Sequence, residues 1–170
     1  MDEPVIDLHN DDFFMGEALR QAAMAYEAGE VPVGAIIVRE GRIIARAFNQ
    51  VELLKDATAH AEMLAITQAE EVAGDWRLTD CTLYVTKEPC PMCAGAMAHT
   101  RLARVVFGAS DPKAGAAGGA LNLLQSPTSN HRCQITSGVR ETECCALLKN
   151  FFAEQRVSEK PERKNGGHCP

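Results

Sequence analysis

Apolar positions along the chain alternate between two periods. Over residues 13–28, Phe14, Ala18, Ala22, Ala25 and Tyr26 recur at helical spacing. Asn10-Asp11-Asp12 before them offers a capping side chain and first-turn acids, and Gly29 marks the stop. The period then shortens. Residues 33–38 form a short, β-branched apolar run of buried-strand character, Gly41-Arg42 is a turn, and residues 43–48 complete a hairpin. Residues 49–58 read as a loop. A second helix is expected over residues 60–72, with Met63, Leu64, Ile66 and Val72 on its buried face and Gly74 as its stop. Residues 82–86 predict a strand. Residues 89–99, rich in Ala and Met with Pro in the first turn, predict a helix. A strand over 104–107 closed by Gly108, a Gly/Ala loop over 114–120, a short strand within 133–139 and an amphipathic helix over 141–157 follow. That last helix carries Leu147, Leu148, Phe151 and Phe152. The succession of helices and strands predicts an α/β fold with helices on both faces of one sheet.

Length and composition narrow this picture. The 170 residues, 46% hydrophobic and 24% charged, suit one globular domain, expected over residues 1–157. The polar segment 158–170, with Pro161, Gly166 and Gly167, is expected to be a disordered tail. No apolar run reaches the length of a membrane span. The acidic N-terminus does not resemble a secretory signal, so a cytoplasmic location is expected. Seven cysteines, an odd number, do not suggest a disulfide framework. The net charge of −6 is local: residues 1–31 hold eight acids against the single base Arg20, and the remainder is nearly balanced. Global charge therefore neither supports nor excludes a nucleic-acid partner.

Two segments carry candidate chemistry, His60-Ala61-Glu62 and Pro89-Cys90-Pro91-Met92-Cys93. A Cys-x-x-Cys pair at a helix start is favourable for metal ligation, because the helix N-terminus stabilises thiolate. With His60, Cys90 and Cys93 as ligands, zinc keeps a fourth position for water, the arrangement of a catalytic site. Glu62 is then the natural proton carrier. On an ideal helix it lies roughly 200° from His60, so the pair works only in an irregular first turn. Each segment alone has other readings. Cys90-x-x-Cys93 is also the pattern of a redox pair or a structural zinc clip, and His60-x-Glu62 that of a solvated helical pair.

Together and in this order the two segments match the zinc-deaminase signature. The run from Leu83 to Met97 closely resembles the bacterial tRNA-specific adenosine deaminases of the cytidine and deoxycytidylate deaminase superfamily. So do Val31-Pro32-Val33-Gly34-Ala35, Thr58-Ala59-His60-Ala61-Glu62, Arg104-Val105-Val106-Phe107-Gly108, Asp111-Pro112-Lys113, Asn130-His131 and Glu143-Cys144-Cys145-Ala146-Leu147-Leu148. The likeness covers about residues 11–156. It implies a cytidine-deaminase-like three-layer α/β/α sandwich around a mixed sheet of about five strands. It also implies one zinc per subunit, a homodimer, and conversion of adenosine to inosine at the wobble position of a tRNA anticodon stem-loop. By the same resemblance His60, Cys90 and Cys93 bind zinc and Glu62 shuttles protons. Asn49 would bond the target base, Val31 and Pro32 would line its pocket, Asp111 and Lys113 would touch neighbouring nucleotides, and Phe151 or Phe152 would offer a stacking surface.

Bland readings stand beside these roles. Asn49 can simply end a strand, Asp111-Pro112 is a good turn signal, and Phe151 and Phe152 suit a core. The Gly115 to Gly119 stretch lacks the lysine of a phosphate loop and reads as a tight turn. Two rivals to the tRNA reading remain. One is a deaminase of guanine or another free base or nucleoside, since Pro91 also occurs in that version of the motif. The other is a structural zinc module that binds RNA, for which His168 or Cys169 would have to fill the fourth position.

Overall fold

The computed structural model describes residues 9–159. Most of the expected tail lies outside the described residues, as do His168 and Cys169. Helix α1 (Asp11–Glu27) starts at Asn10, whose side chain accepts the Phe13 N–H at 3.0 Å. A hairpin follows, β1 (Gly34–Arg39) and β2 (Arg42–Phe48). Its tight turn is Glu40-Gly41, one residue before the expected position. Both have positive φ (50° and 72°), the conformation that matches the twist of the flanking strands.

Residues 49–58 contain the short helix α2 (Val51–Leu54). No periodicity announces it, because its capping partner is remote in sequence. Buried Glu30 accepts the N–H groups of Glu52 at 3.2 Å and Leu53 at 2.6 Å. Helix α3 (Ala61–Ala73) ends at Gly74 in the left-handed conformation, as expected. Its buried face differs from the expected one. Ala61, Glu62, Ala65, Ile66 and Ala69 are buried, whereas Val72 is 64% exposed. Small residues let this helix lie close to the sheet, and the larger side chains flank the contact.

Strand β3 (Cys81–Lys87), helix α4 (Pro91–His99), strand β4 (Arg104–Ala109), the three-residue β5 (Gln134–Thr136) and helix α5 (Glu141–Ser158) complete the chain. The five strands form one sheet in the order β2-β1-β3-β4-β5. β1 runs antiparallel to β2 and β3, while β3, β4 and β5 are parallel. The sheet is mixed, as expected.

Both faces are covered, which explains why the strands read as continuous apolar runs. Ala35, Ile37, Leu83, Val85, Val105 and Phe107 point to the face packed by α3 and α4. Their alternates Ile36, Val38, Tyr84 and Val106 point to the face packed by α1 and α5. The result is a three-layer α/β/α sandwich. Gly34 permits the close approach of α1, since a Cβ there would run into the helix backbone at Ala18 and Ala22. Among the described residues no helix is long and apolar enough to cross a membrane.

Topology gathers the chemistry at one end of the sheet. Ala35 pairs with Val85, and Val85 with Phe107. The start of β1, the end of β2 and the carboxyl ends of β3 and β4 therefore lie together. This is the end at which α/β sheets place ligands.

Candidate metal centre and substrate cavity

His60 is the N-cap of α3 and has extended backbone (φ −70, ψ 151), while Glu62 sits in the first turn. The helical twist that would separate the pair therefore does not apply. Cys90 is the N-cap of α4, also extended (φ −73, ψ 171), with Pro91 at the helix start. Cys93 lies in the first turn, and its free backbone N–H favours thiolate at Cys90.

The Nδ1 atom of His60 lies 3.6 Å from the Cys90 sulfur and 3.4 Å from the Cys93 sulfur. All three donor atoms fall within 4.8 Å of one another. A tetrahedral zinc, with ordinary bonds to nitrogen and sulfur, holds such atoms about 3.6 Å apart. One imidazole and two thiols at these separations fit zinc. Among the described residues the metal-binding group is these three side chains.

Electrostatics at the centre follow from proximity and burial. The Cys90 thiol is pushed down to about 3, first by the hydrogen bond from Cys93 and then by that from His60. Cys93 is raised well above the usual thiol range by the same bond and by burial. His60 is raised, chiefly through Cys90. Glu62 is 4% exposed, and burial raises its carboxyl above the ordinary carboxylate range, opposed in part by the neighbouring imidazole.

These groups open on a cavity of about 640 Å³. His60, Glu62 and Cys90 lie on its wall, and Cys93 is buried behind them. Val31 and Asn49 also line it. Asn49 is 7% exposed, and its Nδ2 donates to the Val31 carbonyl at 3.3 Å. Pro32 is buried and is not on the wall.

The two phenylalanines divide. Both line the cavity, but Phe151 is buried edge-on against Tyr26, with ring centroids 5.7 Å apart, whereas Phe152 is 45% exposed. Asp111 and Lys113 are not on the wall. The Asp111 carboxylate accepts the N–H groups of Lys113 and Ala114 at 3.1 and 3.0 Å and pairs with the Lys87 ammonium at 2.8 Å. Lys87 foremost holds the Asp111 carboxyl below its ordinary range.

Sequence reasoning missed Glu30, Lys87, Glu88 and Arg156, all of which line the cavity. Glu30 and Arg156 carry no local signal, since distant segments bring them there. Lys87 and Glu88 directly precede the Pro89-Cys90 motif, and a polar pair at the end of an apolar strand was the available clue. Of the cysteines outside the centre, Cys81, Cys133 and Cys144 are buried and behave as small apolar side chains. His131 is engaged structurally, its Nε2 lying 2.6 Å from the Leu102 carbonyl.

Residues 9–156 match the MafB19-like deaminase family. The tRNA-specific adenosine deaminase of Bacillus subtilis (strain 168) is 52% identical over 155 residues, covering 91% of this chain and 96% of that protein. A solved chain from work on A-to-I editing by tRNA:A34 deaminases at the wobble position of transfer RNA superposes with a TM-score of 0.77. Its identity is 44%, covering 79% of this chain and 98% of that one. A guanine deaminase from Bacillus subtilis superposes with a TM-score of 0.58 at 34% identity, covering 90% of this chain and 98% of that one.

Proposed function

The chain belongs to the tRNA-specific adenosine deaminases, within the MafB19-like deaminase family, and on that premise we propose how its residues carry out the reaction. The activity is zinc-dependent hydrolytic deamination of adenosine to inosine at the wobble position of a tRNA anticodon. The observation that carries this reading is the meeting of the His60, Cys90 and Cys93 donors with buried Glu62 on one cavity wide enough for a purine nucleoside.

His60 Nδ1 and the sulfurs of Cys90 and Cys93 hold zinc, which supplies Lewis acidity that brings the pKa of a water toward neutrality. Glu62 accepts a proton from the attacking water and delivers it to N1 of the adenine ring as the water oxygen bonds C6. It then takes the remaining hydroxyl proton and passes it to the exocyclic nitrogen. The C6–N bond breaks, and ammonia and inosine result. Burial suits Glu62 to this work, because its raised proton affinity makes it a better proton carrier than an exposed carboxylate. Asn49 hydrogen-bonds the base, and Val31 with Pro32 behind it shapes the base site. Phe152 offers a face on which a neighbouring base stacks, while Phe151 supports it from the core. Asp111 and Lys113 act on flanking nucleotides from the loop outside the cavity. An anticodon loop is already partly unstacked, so extruding one base costs only a few kcal/mol.

The family reading also supports a homodimer, and tRNA modification supports a cytoplasmic location. The deciding experiment incubates the zinc-loaded protein with an anticodon stem-loop bearing a wobble adenosine, and separately with free adenosine, guanine and cytidine. Inosine in the stem-loop with inert free substrates is the expected result. Ammonia release from guanine alone would transfer the chain to the free-base deaminases. Zinc binding without turnover on any substrate would leave only the structural zinc module.

A further inference from the structure

We propose that Glu88 is a positioning residue for substrate binding, its carboxylate filling a nest of backbone N–H groups and so setting the Lys87 side of the cavity. The inference rests on the deaminase reading. Glu88 is 3% exposed. Its Oε1 accepts the Asp111 N–H at 3.2 Å, and its Oε2 accepts those of Ala117 at 3.2 Å and Gly119 at 2.9 Å. Backbone N–H groups converging on one anion form the concavity that proteins use for phosphate and similar ligands. Here an internal carboxylate occupies it. The Gly/Ala composition of residues 114–120 follows from this packing, because a Cβ on Gly115 or Gly119 would fall against the Glu88 carboxylate.

The nest ties two parts of the site together. Ala116 N–H donates to the Pro89 carbonyl at 2.8 Å, and Glu88 N–H to the Ala109 carbonyl at 2.8 Å. The loop is thereby fastened along the segment that leads into Cys90. Asp111 is held three times over: its N–H by Glu88, its carbonyl by the Gly115 N–H at 2.9 Å, and its carboxylate by Lys87. Lys87 in turn lines the cavity. Glu88 thus fixes Asp111, and Asp111 fixes the direction of an ammonium on the cavity wall. A polyanionic RNA loop entering the cavity meets that cation, and a wall set before binding saves the ordering that binding would otherwise require. Both Glu88 oxygens are engaged by the loop, so Glu88 acts through it and not on the base.

The test compares wild type with Glu88→Gln, which keeps the shape but removes the charge and turns one acceptor into a donor. Four quantities are read: kcat and KM on the anticodon stem-loop, bound zinc, and hydrogen exchange of the 109–119 segment in the free protein. The expected result is a rise in KM of about tenfold with kcat within about threefold of wild type. Bound zinc should stay at the wild-type level, and exchange of the loop amides should be faster. Unchanged KM together with unchanged exchange would overturn the proposal. A fall in zinc content that tracks a fall in kcat would also overturn it, by assigning Glu88 to the metal motif. If Glu88→Gln does not fold, Gly119→Ala crowds the same nest from the other side: a raised KM supports the proposal and a native KM overturns it. Should wild type make no inosine, the deaminase reading fails by itself, and faster or unchanged loop exchange in Glu88→Gln still decides whether the carboxylate holds the loop.

Discussion

Two carboxylates, Asp11 and Glu62, occupy opposite faces of the same sheet and have opposite electrostatics. Asp11, in the first turn of α1, accepts hydrogen bonds from the two terminal Arg104 nitrogens, at 2.9 and 2.6 Å, and from the Tyr84 hydroxyl at 2.9 Å. Arg104 foremost holds its carboxyl below the ordinary value of 3.8. Glu62, in the first turn of α3, is buried without an arginine beside it, and burial moves its carboxyl upward. A paired anion ties helix to strand and stays charged. An anion starved of solvent and of a strong partner is poised to exchange a proton. The chemical group is the same, and its partners decide whether it serves stability or chemistry.

The largest effect is expected at Glu62. Glu62→Gln should reduce single-turnover inosine formation at least about 10³-fold while zinc content and melting temperature hold, because only the proton carrier is lost. Activity within tenfold of wild type would remove Glu62 from that role. Cys93→Ala should fall next. Its expected signature is loss of most bound zinc, measured by metal analysis, with activity lost in parallel and not restored by added zinc.

The adjacent phenylalanines sharpen the contrast between binding and stability. Phe152→Ala should raise KM about tenfold at near-native stability, since stacking on a base is worth about 1–3 kcal/mol. Phe151→Ala should instead cost about 3 kcal/mol in denaturant unfolding, because it empties a buried site.

The smallest effects belong to Asp11. Asp11→Asn should cost roughly 1 kcal/mol of stability, discounted for its partial exposure, and leave kcat unchanged. The sign with pH follows from its lowered carboxyl. Its contribution is fully present above about pH 4 and disappears as pH falls through the lower folded-state value. Wild type and Asp11→Asn should therefore converge in unfolding free energy on acidification. A gap that persists once the Asp11 carboxyl of the folded protein is protonated would mean that the charge pair is not its source.

Much of this was legible before the structure. The Asn10 cap, the Gly74 stop, the short apolar runs of β1, β3 and β4 and the α/β class are read from neighbours a few residues apart, where local preferences act directly. The buried face of α3 was misjudged because large apolar residues outweighed alanines in the pattern, although the alanines make the close contact. Helix α2 went unseen because Glu30 organises it from more than twenty residues away.

What the chain determined by itself was the donor set and its order: an imidazole and carboxylate at one helix start, two thiols at another, and the periods that make those segments helix starts. What tertiary structure alone decided was the company those groups keep. It left Phe152 exposed at the cavity and buried Phe151 in its wall, drew Asp111 to Lys87, and folded the glycine-rich loop around Glu88. Hydrogen bonds within a turn are set by local backbone geometry. Contacts between residues dozens of positions apart exist only once the sheet has brought four strand ends together at one end.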